Sequence, residues 1–134
     1  MSAVQPHHPQ PIQYPPRTVE RAARAVRCAP FEMTLYVTLQ DRSVSINEIA
    51  GEAGTRNRYT QTPRSESAAE TELMWLIQVG LLRREVDGQG ITDSFRLTPL
   101  GRQLIARWNH NNPLIPTGSD RFYNAMSRWL RLPL

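Results

Sequence analysis

Residues 70–104 constrain the fold most, because they carry helix, hairpin and helix signals in close succession. The first part has apolar residues at offsets of three and four, the spacing of one face of an α-helix. These residues are Leu73, Leu76, Ile77 and Leu81. Gly80 stands at the natural stopping point, since glycine adopts the left-handed conformation that closes a helix without steric cost. The pattern therefore predicts a helix that ends at Gly80.

The remainder of this stretch predicts a β-hairpin followed by another helix. Residues 82–86 and 94–97 are suited to strands. The Asp-Gly-Gln-Gly sequence between them is a strong turn signal, because glycine readily adopts positive φ. Thr98 can cap the next helix, and Pro99 fits its first turn. Three such elements can bury one shared core.

The sequence GLLRREVDGQGITDSFRLTPLGRQLI resembles the end of a winged helix-turn-helix domain of the MarR and PadR regulators. In those families a helix ends in Gly-Leu-(Leu/Val), a two-stranded wing follows, and its second strand runs into Leu-Thr-x-x-Gly-(Arg/Lys). Residues 80–82 (Gly-Leu-Leu) and 97–102 (Leu-Thr-Pro-Leu-Gly-Arg) match these motifs. The resemblance covers roughly residues 31–110. It implies a mainly α winged helix-turn-helix fold with a small β-hairpin wing (α+β) and extra N- and C-terminal helices.

Composition divides the chain into four parts. Residues 1–16 hold five prolines and few core-forming residues, which predicts a disordered tail. Residues 17–29 predict a basic N-terminal helix, and residues 30–110 the winged-helix domain. Residues 111–134 predict a linker and a C-terminal amphipathic helix. A length of 134 residues with 40% hydrophobic content suits one domain with one modest core.

Cysteine content and hydropathy indicate a cytoplasmic protein. The single cysteine, Cys28, excludes an internal disulfide and suits a reducing compartment. No apolar run approaches the roughly 18 residues that a transmembrane helix needs. The N-terminus is rich in proline and histidine, so no signal peptide is visible.

All sixteen basic residues are arginine, and the formal net charge is +4. The planar guanidinium fork binds both phosphate and carboxylate, so this composition suits nucleic acid or an acidic protein surface. A lineage bias toward arginine codons is the alternative explanation. A charge of +4 over the whole chain is by itself a weak electrostatic footprint.

The chain shows no catalytic constellation. Its histidines are His7 and His8 in the tail and His110 in a predicted turn. The sequence has no glycine-rich phosphate loop, no cysteine pair for zinc and no carboxylate pair at a strand end. We therefore expect no enzyme activity, no metal site and no cofactor.

The N-terminal helix is expected to be capped by Thr18 and to run to Cys28. Its apolar stripe is narrow and consists of Val19, Ala22, Ala23 and Val26. A basic strip occupies the opposite face and consists of Arg17, Arg21, Arg24 and Arg27. The strip could contact phosphates, but a solvated helix face is the favoured interpretation.

The next elements follow the order of a helix-turn-helix motif. A helix is expected over residues 30–40, and Ser45 with Glu48 has the form of a capping box for a short helix over residues 46–53. A loop of about ten residues, 55–64, then carries three arginines and no acid. The usual turn of this motif takes only three or four residues.

The third helix is expected to be capped by Ser65 or Ser67 and to run to about Val79. Its groove-facing positions include the carboxylates of Glu66, Glu70 and Glu72. Repulsion between these groups and phosphate argues against ordinary groove reading, although acids suit a helix N-terminus. Trp75 either packs under the wing, which is favoured, or forms an exposed apolar spot for a partner.

Two further helices complete the chain. The last domain helix, over residues 99–109, has its apolar face formed by Leu100, Leu104, Ile105 and Trp108. Ser119 is expected to cap a final amphipathic helix over residues 120–131. Its apolar residues are Phe122, Met126, Trp129 and Leu130. This helix could dock on its own domain, pair with a second copy or lie on a membrane. The first two are favoured, because one short helix with three arginines binds lipid only marginally.

The first functional hypothesis is a DNA-binding transcriptional regulator. Double-stranded DNA would be contacted by Arg56, Arg58, Tyr59, Thr62, Arg64, Arg84 and Arg96. A homodimer formed through the terminal helices would set the spacing of the half-sites.

The second hypothesis is a winged-helix protein–protein interaction module, or assembly subunit, that does not bind DNA. The acidic third helix and the acidic tip of the wing motivate it. The expected partner or dimer interface consists of Trp75, Trp108, Phe122, Met126, Trp129 and Leu130.

Overall fold

The structure, a computed structural model, describes residues 13–108 and 117–130. Most of the predicted tail, residues 1–12, lies outside the described residues, as do residues 109–116 and 131–134 and the side chain of Leu130. His7, His8 and His110 therefore also lie outside them. Pro16, the last residue of the predicted tail, is the first residue of a helix.

The described residues form a mainly helical structure with a small antiparallel sheet, which confirms the α+β class. The helices are α1 (Pro16–Cys28), α2 (Met33–Asp41), α3 (Ile46–Ile49), α4 (Gly51–Arg56), α5 (Glu66–Gln78), α6 (Pro99–Trp108) and α7 (Gly118–Leu130). The strands are β1 (Val44–Ser45), β2 (Leu82–Asp87) and β3 (Gly90–Leu97). None of the described helices combines the length and apolar character that crossing a membrane requires.

The sheet has the strand order β1-β3-β2, and both neighbouring pairs are antiparallel. Phe95 of β3 lies opposite Val44 of β1, and both side chains are buried. β3 begins at Gly90, so the prediction of a strand that begins at residue 94 is wrong. Ile91 is 74% exposed, so the start of this strand lacks the buried alternation by which a half-buried strand is recognised.

The predicted junction between α5, the hairpin and α6 is confirmed. Gly80 has a φ of +89°, and the N–H groups of Gly80 and Leu81 donate to carbonyls of the last turn of α5, which forms a Schellman motif. The Thr98 hydroxyl lies within hydrogen-bonding distance of the Gly80 and Leu81 carbonyls and accepts from the Gly101 N–H at 3.0 Å. Thr98 thus caps α6 and joins it to the end of α5.

The hydrophobic core lies between α2, α5, α6 and the sheet. Its largest fully buried side chains include Tyr36, Phe95, Leu35, Leu39, Leu73, Leu76, Leu104 and Ile105. α1 lies against α5 and α6 through small buried residues. These are Ala22, Ala23, Ala25 and Val26, three of which belong to the predicted stripe. Small side chains allow α1 to approach its neighbours closely.

Two helices begin elsewhere than predicted. α1 begins at Pro16, because proline suits the first helical position, where its missing N–H needs no partner. Thr18 lies within the first turn and does not cap the helix. α2 begins at Met33, three residues later than expected. The reason is that the Glu32 N–H donates to the Tyr59 carbonyl at 2.8 Å and holds this segment extended.

The short helix predicted after Ser45 is divided into α3 and α4. Its capping box is confirmed, since the Ser45 N–H donates to the Glu48 carboxylate at 2.9 Å. Ala50 leaves the helical conformation with a ψ of 157°, and the Gly51 N–H donates to the Arg64 carbonyl at 2.7 Å. The break therefore ties these helices to the loop that follows them.

α7 is capped by Thr117, so the prediction of Ser119 as its cap is wrong. The Asp120 N–H donates to the Thr117 hydroxyl at 3.0 Å, and the Thr117 N–H donates to the Asp120 carboxylate at 3.1 Å. This reciprocal pair is a capping box in which aspartate replaces the usual glutamate. Ser119 lies one residue inside the helix.

α7 lies against α1 with its polar side. Arg27 donates two hydrogen bonds of 2.9 Å to the Asp120 carboxylate, and Ser127 is buried. The Arg24 guanidinium lies 5.5 Å from the centroid of the Tyr123 ring. The prediction of a solvated basic strip on α1 is therefore wrong for Arg24 and Arg27.

Trp75 and Trp108 are buried within the chain, which corrects their predicted place in a partner interface. Trp75 is 6% exposed, and its indole N–H donates to the Asn124 side chain at 3.0 Å. Trp75 therefore contacts α7, a partner that the predicted packing under the wing did not include. Trp108 is 8% exposed, and the Arg27 guanidinium lies 5.8 Å from its ring centroid.

Candidate nucleic-acid interface

The candidate site is built around the arginine-containing loop between α4 and α5. α4 ends in a second Schellman motif, in which the Arg58 N–H donates to the Thr55 carbonyl at 3.1 Å and the Tyr59 N–H to the Gly54 carbonyl at 2.8 Å. Arg58 occupies the left-handed position of this motif with a φ of 63°. A side chain in that conformation costs about 1–2 kcal/mol relative to the right-handed one. The loop therefore begins with an arginine under backbone strain.

Hydrogen bonds anchor the loop at both ends. The Asn57 side-chain amide donates to the Glu48 carbonyl at 3.0 Å near its start. The bond from Gly51 to the Arg64 carbonyl holds its end. Thr60, between these anchors, is only 3% exposed. An anchored loop presents its side chains with less conformational entropy to lose on binding.

The loop exposes all three of its arginines. Arg56, Arg58 and Arg64 are exposed, and none of them forms an ion pair within the described part of the chain. Thr62 is also exposed. Tyr59 is different, because its side chain is 4% exposed and belongs to the core. A buried ring cannot contact DNA, so the predicted role of Tyr59 is corrected.

The two wing arginines of the predicted site have partners inside the protein. Arg84 lies 3.2 Å from the Glu70 carboxylate and 5.1 Å from the centroid of the Phe95 ring. Arg96 pairs with Glu85 on the neighbouring strand. A contact of either arginine with DNA would therefore have to replace an existing ion pair.

Two ion pairs, which sequence reasoning missed, neutralise part of the negative charge on the surface of α5. Glu70 pairs with Arg84 at 3.2 Å, and Glu72 pairs with Arg128 of α7 at 3.1 Å. Of the three carboxylates, Glu66 alone has no ion pair among residues 13–108 and 117–130. It lies in the first turn, where the helix dipole stabilises a negative charge.

The first turns of α5 present small side chains to solvent. The Ser65 hydroxyl accepts from the Ala68 N–H at 3.1 Å, which confirms Ser65 as the helix cap. Ser67, Ala68 and Thr71 are exposed. Side chains of this size would allow the helix to approach a flat or grooved partner closely.

A cleft of about 390 Å³ lies beside the loop, bounded by the end of α1 and the start of α7. Thr62 and Arg64 line it from the loop, Arg121 from α7, and Glu32 adds a carboxylate. Sequence reasoning missed Arg121 as a site residue. No local pattern relates a residue of the last helix to this loop, so only the tertiary fold brings them together.

The ion pair between Arg27 and Asp120 joins α1 to α7 at one wall of the cleft. Hydrogen bonds from Arg27 are the main cause that lowers the pKa of the Asp120 carboxyl to about 2. Burial, followed by the charge of Asp120, raises the pKa of the Cys28 thiol. The cleft thus offers positive charge and hydrogen-bond donors, which suit an anion, and its thiol is not activated as a nucleophile. Within the described residues, no group of three or more potential ligands is placed to hold a metal ion.

The fold and the site define a small, mainly helical α+β protein with an exposed arginine loop. The chain belongs to the Npun_F0494-like family, whose model matches residues 12–128. No curated protein and no solved structure matches it. The family match includes the arginine loop and the polar contacts of α7.

Proposed function

We propose that this protein is a winged-helix DNA-binding protein that acts as a transcriptional regulator and has no catalytic activity. The exposed, anchored loop arginines carry the proposal. They are Arg56, Arg58 and Arg64. Arginine binds phosphate through two parallel hydrogen bonds, and phosphate contacts fix the register of a protein on DNA. A cytoplasmic homodimer, as the sequence leads us to expect, is part of the proposal.

The order of the elements supports the winged-helix part of the proposal. α2, β1, the α3–α4 pair, α5 and the β2–β3 hairpin follow one another along the chain. In this order α5 takes the place of the helix that enters the DNA major groove, and the hairpin takes the place of the wing.

Ion pairs lessen the repulsion that α5 would meet as a groove helix, and Glu66 is the one of its three groove-facing carboxylates that has no ion pair among the described residues. Its carboxylates at Glu70 and Glu72 are already paired with arginine, so they would not approach phosphate as bare charges. Ser67 and Thr71 supply hydroxyl groups that can reach base edges. The loop arginines and Arg121 would contact the phosphates at the edge of the groove.

Fluorescence anisotropy with random-sequence duplex DNA tests the proposal. A protein that makes six or so phosphate contacts should lose roughly a thousandfold in affinity between about 50 and 200 mM salt. The triple variant Arg56→Ala/Arg58→Ala/Arg64→Ala should bind more weakly and show a flatter salt dependence. No binding of the unchanged protein at the lower salt concentration would refute the proposal.

A matched control removes the same charge from other surfaces. The triple variant Arg17→Ala/Arg102→Ala/Arg107→Ala replaces three exposed arginines on α1 and α6. It should bind more tightly than the loop variant, because a specific loop contact matters more than total charge. Equal losses in the two triple variants would show non-specific attraction and remove the loop from the proposal.

A protein-interaction module that does not bind DNA is the second candidate function, and the exposed side of α7 favours it. Phe122 is 58% exposed and Trp129 is 85% exposed. Large aromatic side chains in water mark a surface that a partner covers. Absence of DNA binding, combined with a stable complex lost in the Trp129→Arg variant, would support this candidate.

A further inference from the structure

The last helix, α7, is held to the body of the protein by polar contacts. They are the ion pairs Arg27–Asp120 and Glu72–Arg128 and the hydrogen bond from Trp75 to Asn124. Each contact joins α7 to α1 or α5, and Ser127 between them is buried. The orientation of α7 is therefore fixed by its polar side.

The apolar side of α7 consequently faces away from the core. Phe122, Ala125, Met126 and Trp129 line one apolar groove of about 230 Å³. Tyr123 is 45% exposed and packs edge to face on Phe122, with 5.5 Å between the ring centroids. A surface helix ordinarily turns its apolar stripe toward the core. Here the stripe is exposed to solvent, which is typical of a surface that a binding partner buries.

We infer that the apolar side of α7 joins two copies of the chain, which pair antiparallel about a two-fold axis between Ala125 and Met126. In that arrangement Phe122 of each copy faces the partner's Trp129, and Ala125 faces the partner's Met126. A two-fold axis places the same patch of both copies face to face, and here the residues that meet are all apolar. The small Ala125 lets the helices approach at their crossing, and the aromatic pairs at both ends add to the packing energy.

The exposed area sets the strength of this contact. Aromatic side chains present about 150–250 Å² each, so the exposed parts of Phe122, Tyr123 and Trp129 amount to on the order of 400 Å² per copy. A stable protein interface buries about 800 Å² per partner. The dimer should therefore be weak, with a dissociation constant in the micromolar range, and should dissociate on dilution.

Charge favours a second copy over an anionic membrane. Arg128 is paired with Glu72, so its charge is not available to lipid headgroups. Among the described residues of α7, Arg121 is the one exposed arginine. Each basic residue contributes only about 1 kcal/mol of attraction to an anionic lipid surface, so one short helix with few arginines binds lipid only marginally. A second copy supplies matching apolar area without requiring charge.

Sedimentation velocity of the full chain, from about 1 to about 200 μM, tests the inference over the expected range of dissociation constants. The protein should change from monomer to dimer, and Phe122→Arg and Trp129→Arg should each weaken association at least tenfold. Ile91→Arg is the matched control, since Ile91 is 74% exposed on the hairpin and should leave association unchanged. Far-UV circular dichroism verifies that each variant is folded.

A cross-link tests the two-fold register. Ala125→Cys in a Cys28→Ser background should form a disulfide-linked dimer on mild oxidation, because residue 125 lies beside the proposed axis. Gln78→Cys, an exposed position on α5, should not do so in the same background.

A monomer throughout the concentration range, or a dimer that persists in both arginine variants, would overturn the inference. So would a monomer that binds vesicles containing phosphatidylserine, which would assign the surface to lipid. The inference rests on the homodimer that the proposed function includes, but none of these measurements involves DNA, so failure of the interface can be distinguished from failure of DNA binding.

Discussion

Arg58 and Gly80 occupy equivalent positions at the ends of two helices. Both follow the C-cap of a Schellman motif, and both have positive φ, 63° for Arg58 and 89° for Gly80. Glycine adopts this conformation without strain, whereas a side chain at the same place is strained. Strain of this kind is an observation from which a functional hypothesis can be made. For Arg58 the hypothesis is a phosphate contact.

Arg58→Gly should make the protein more stable and a poorer DNA binder. The free energy of unfolding should rise by about 1 kcal/mol, because the left-handed backbone no longer carries a side chain. Chemical denaturation and DNA anisotropy measure the two effects. Gly80→Ala is the mirror control and should lower the free energy of unfolding by about 1 kcal/mol. A less stable Arg58→Gly protein would disprove the interpretation of strain.

Gly101→Ala should destabilise the protein by about 2 kcal/mol or more, as overpacking in a rigid site does. The added methyl group would meet the backbone carbonyl of Leu81 and the side chain of Leu97, in the junction that Thr98 holds. Thermal unfolding measures the loss. Gly88→Ala at the hairpin turn has open space around the new methyl group and should change stability far less.

At three junctions local chemistry determines where an element begins or ends, and these features were predictable. The capping box of Ser45 and Glu48, the end of α5 at Gly80 and the Thr98 cap each depend on residues a few positions apart. The division between α3 and α4 was missed. It depends on the bond from Gly51 to Arg64, which the local pattern does not contain.

The arrangement of α7 shows why the candidate site was only partly predictable. The amphipathic pattern identified the helix and its exposed apolar residues, but pattern alone cannot say which side faces the body. That choice depends on partners far along the chain, such as Asp120 with Arg27 and Glu72 with Arg128. The same limit applies to Tyr59, whose sequence context resembles an exposed loop although its ring is buried.

Acid should weaken the attachment of α7. The pKa of Asp120 falls from an ordinary 3.8 to about 2 in the folded protein, chiefly through hydrogen bonds from Arg27. A lowered pKa stabilises the folded state above the ordinary value, and the contribution is lost as pH falls toward the folded value. The stability difference between the protein and Asp120→Asn should be constant above about pH 5 and shrink toward pH 2.

Urea unfolding at a series of pH values measures this difference, and Trp75, which contacts α7, provides a fluorescence signal. Asp93→Asn is a suitable control, because Asp93 is exposed on the hairpin. A difference for Asp120→Asn that does not change with pH would show that the ion pair does not hold the helix.

Two groups of arginines among the described residues differ in their contacts. Arg27, Arg42, Arg84, Arg96 and Arg128 form ion pairs within the protein. The loop arginines are exposed and form none within the described residues. Each internal pair removes one positive and one negative charge and so leaves the net charge of +4 unchanged. The loop differs because residues 55–64 carry three arginines and no acid.

DNA binding by the loop arginines should depend strongly on salt, whereas the stability that the ion-paired arginines provide should depend on it weakly. Between about 50 and 200 mM salt, DNA affinity should fall roughly a thousandfold. The free energy of unfolding should change by less than about 1 kcal/mol, because partly buried pairs are screened weakly and exposed pairs contribute little. Parallel anisotropy and urea-unfolding titrations provide the comparison. Equal sensitivity of binding and folding to salt would contradict this division.

Arg27 and Arg128 lie in different helices and make the same two kinds of contact. Each pairs with a carboxylate and also lies over an indole ring, 5.8 Å from the Trp108 centroid for Arg27 and 5.9 Å from the Trp75 centroid for Arg128. A planar guanidinium can do both at once, whereas the compact ammonium of lysine is poorly suited to it. A version of this chain with lysine at both positions would keep the charge, but its contacts with α7 would be weaker. Codon usage could account for a lysine-free composition, but at these two positions the paired contacts favour arginine on structural grounds.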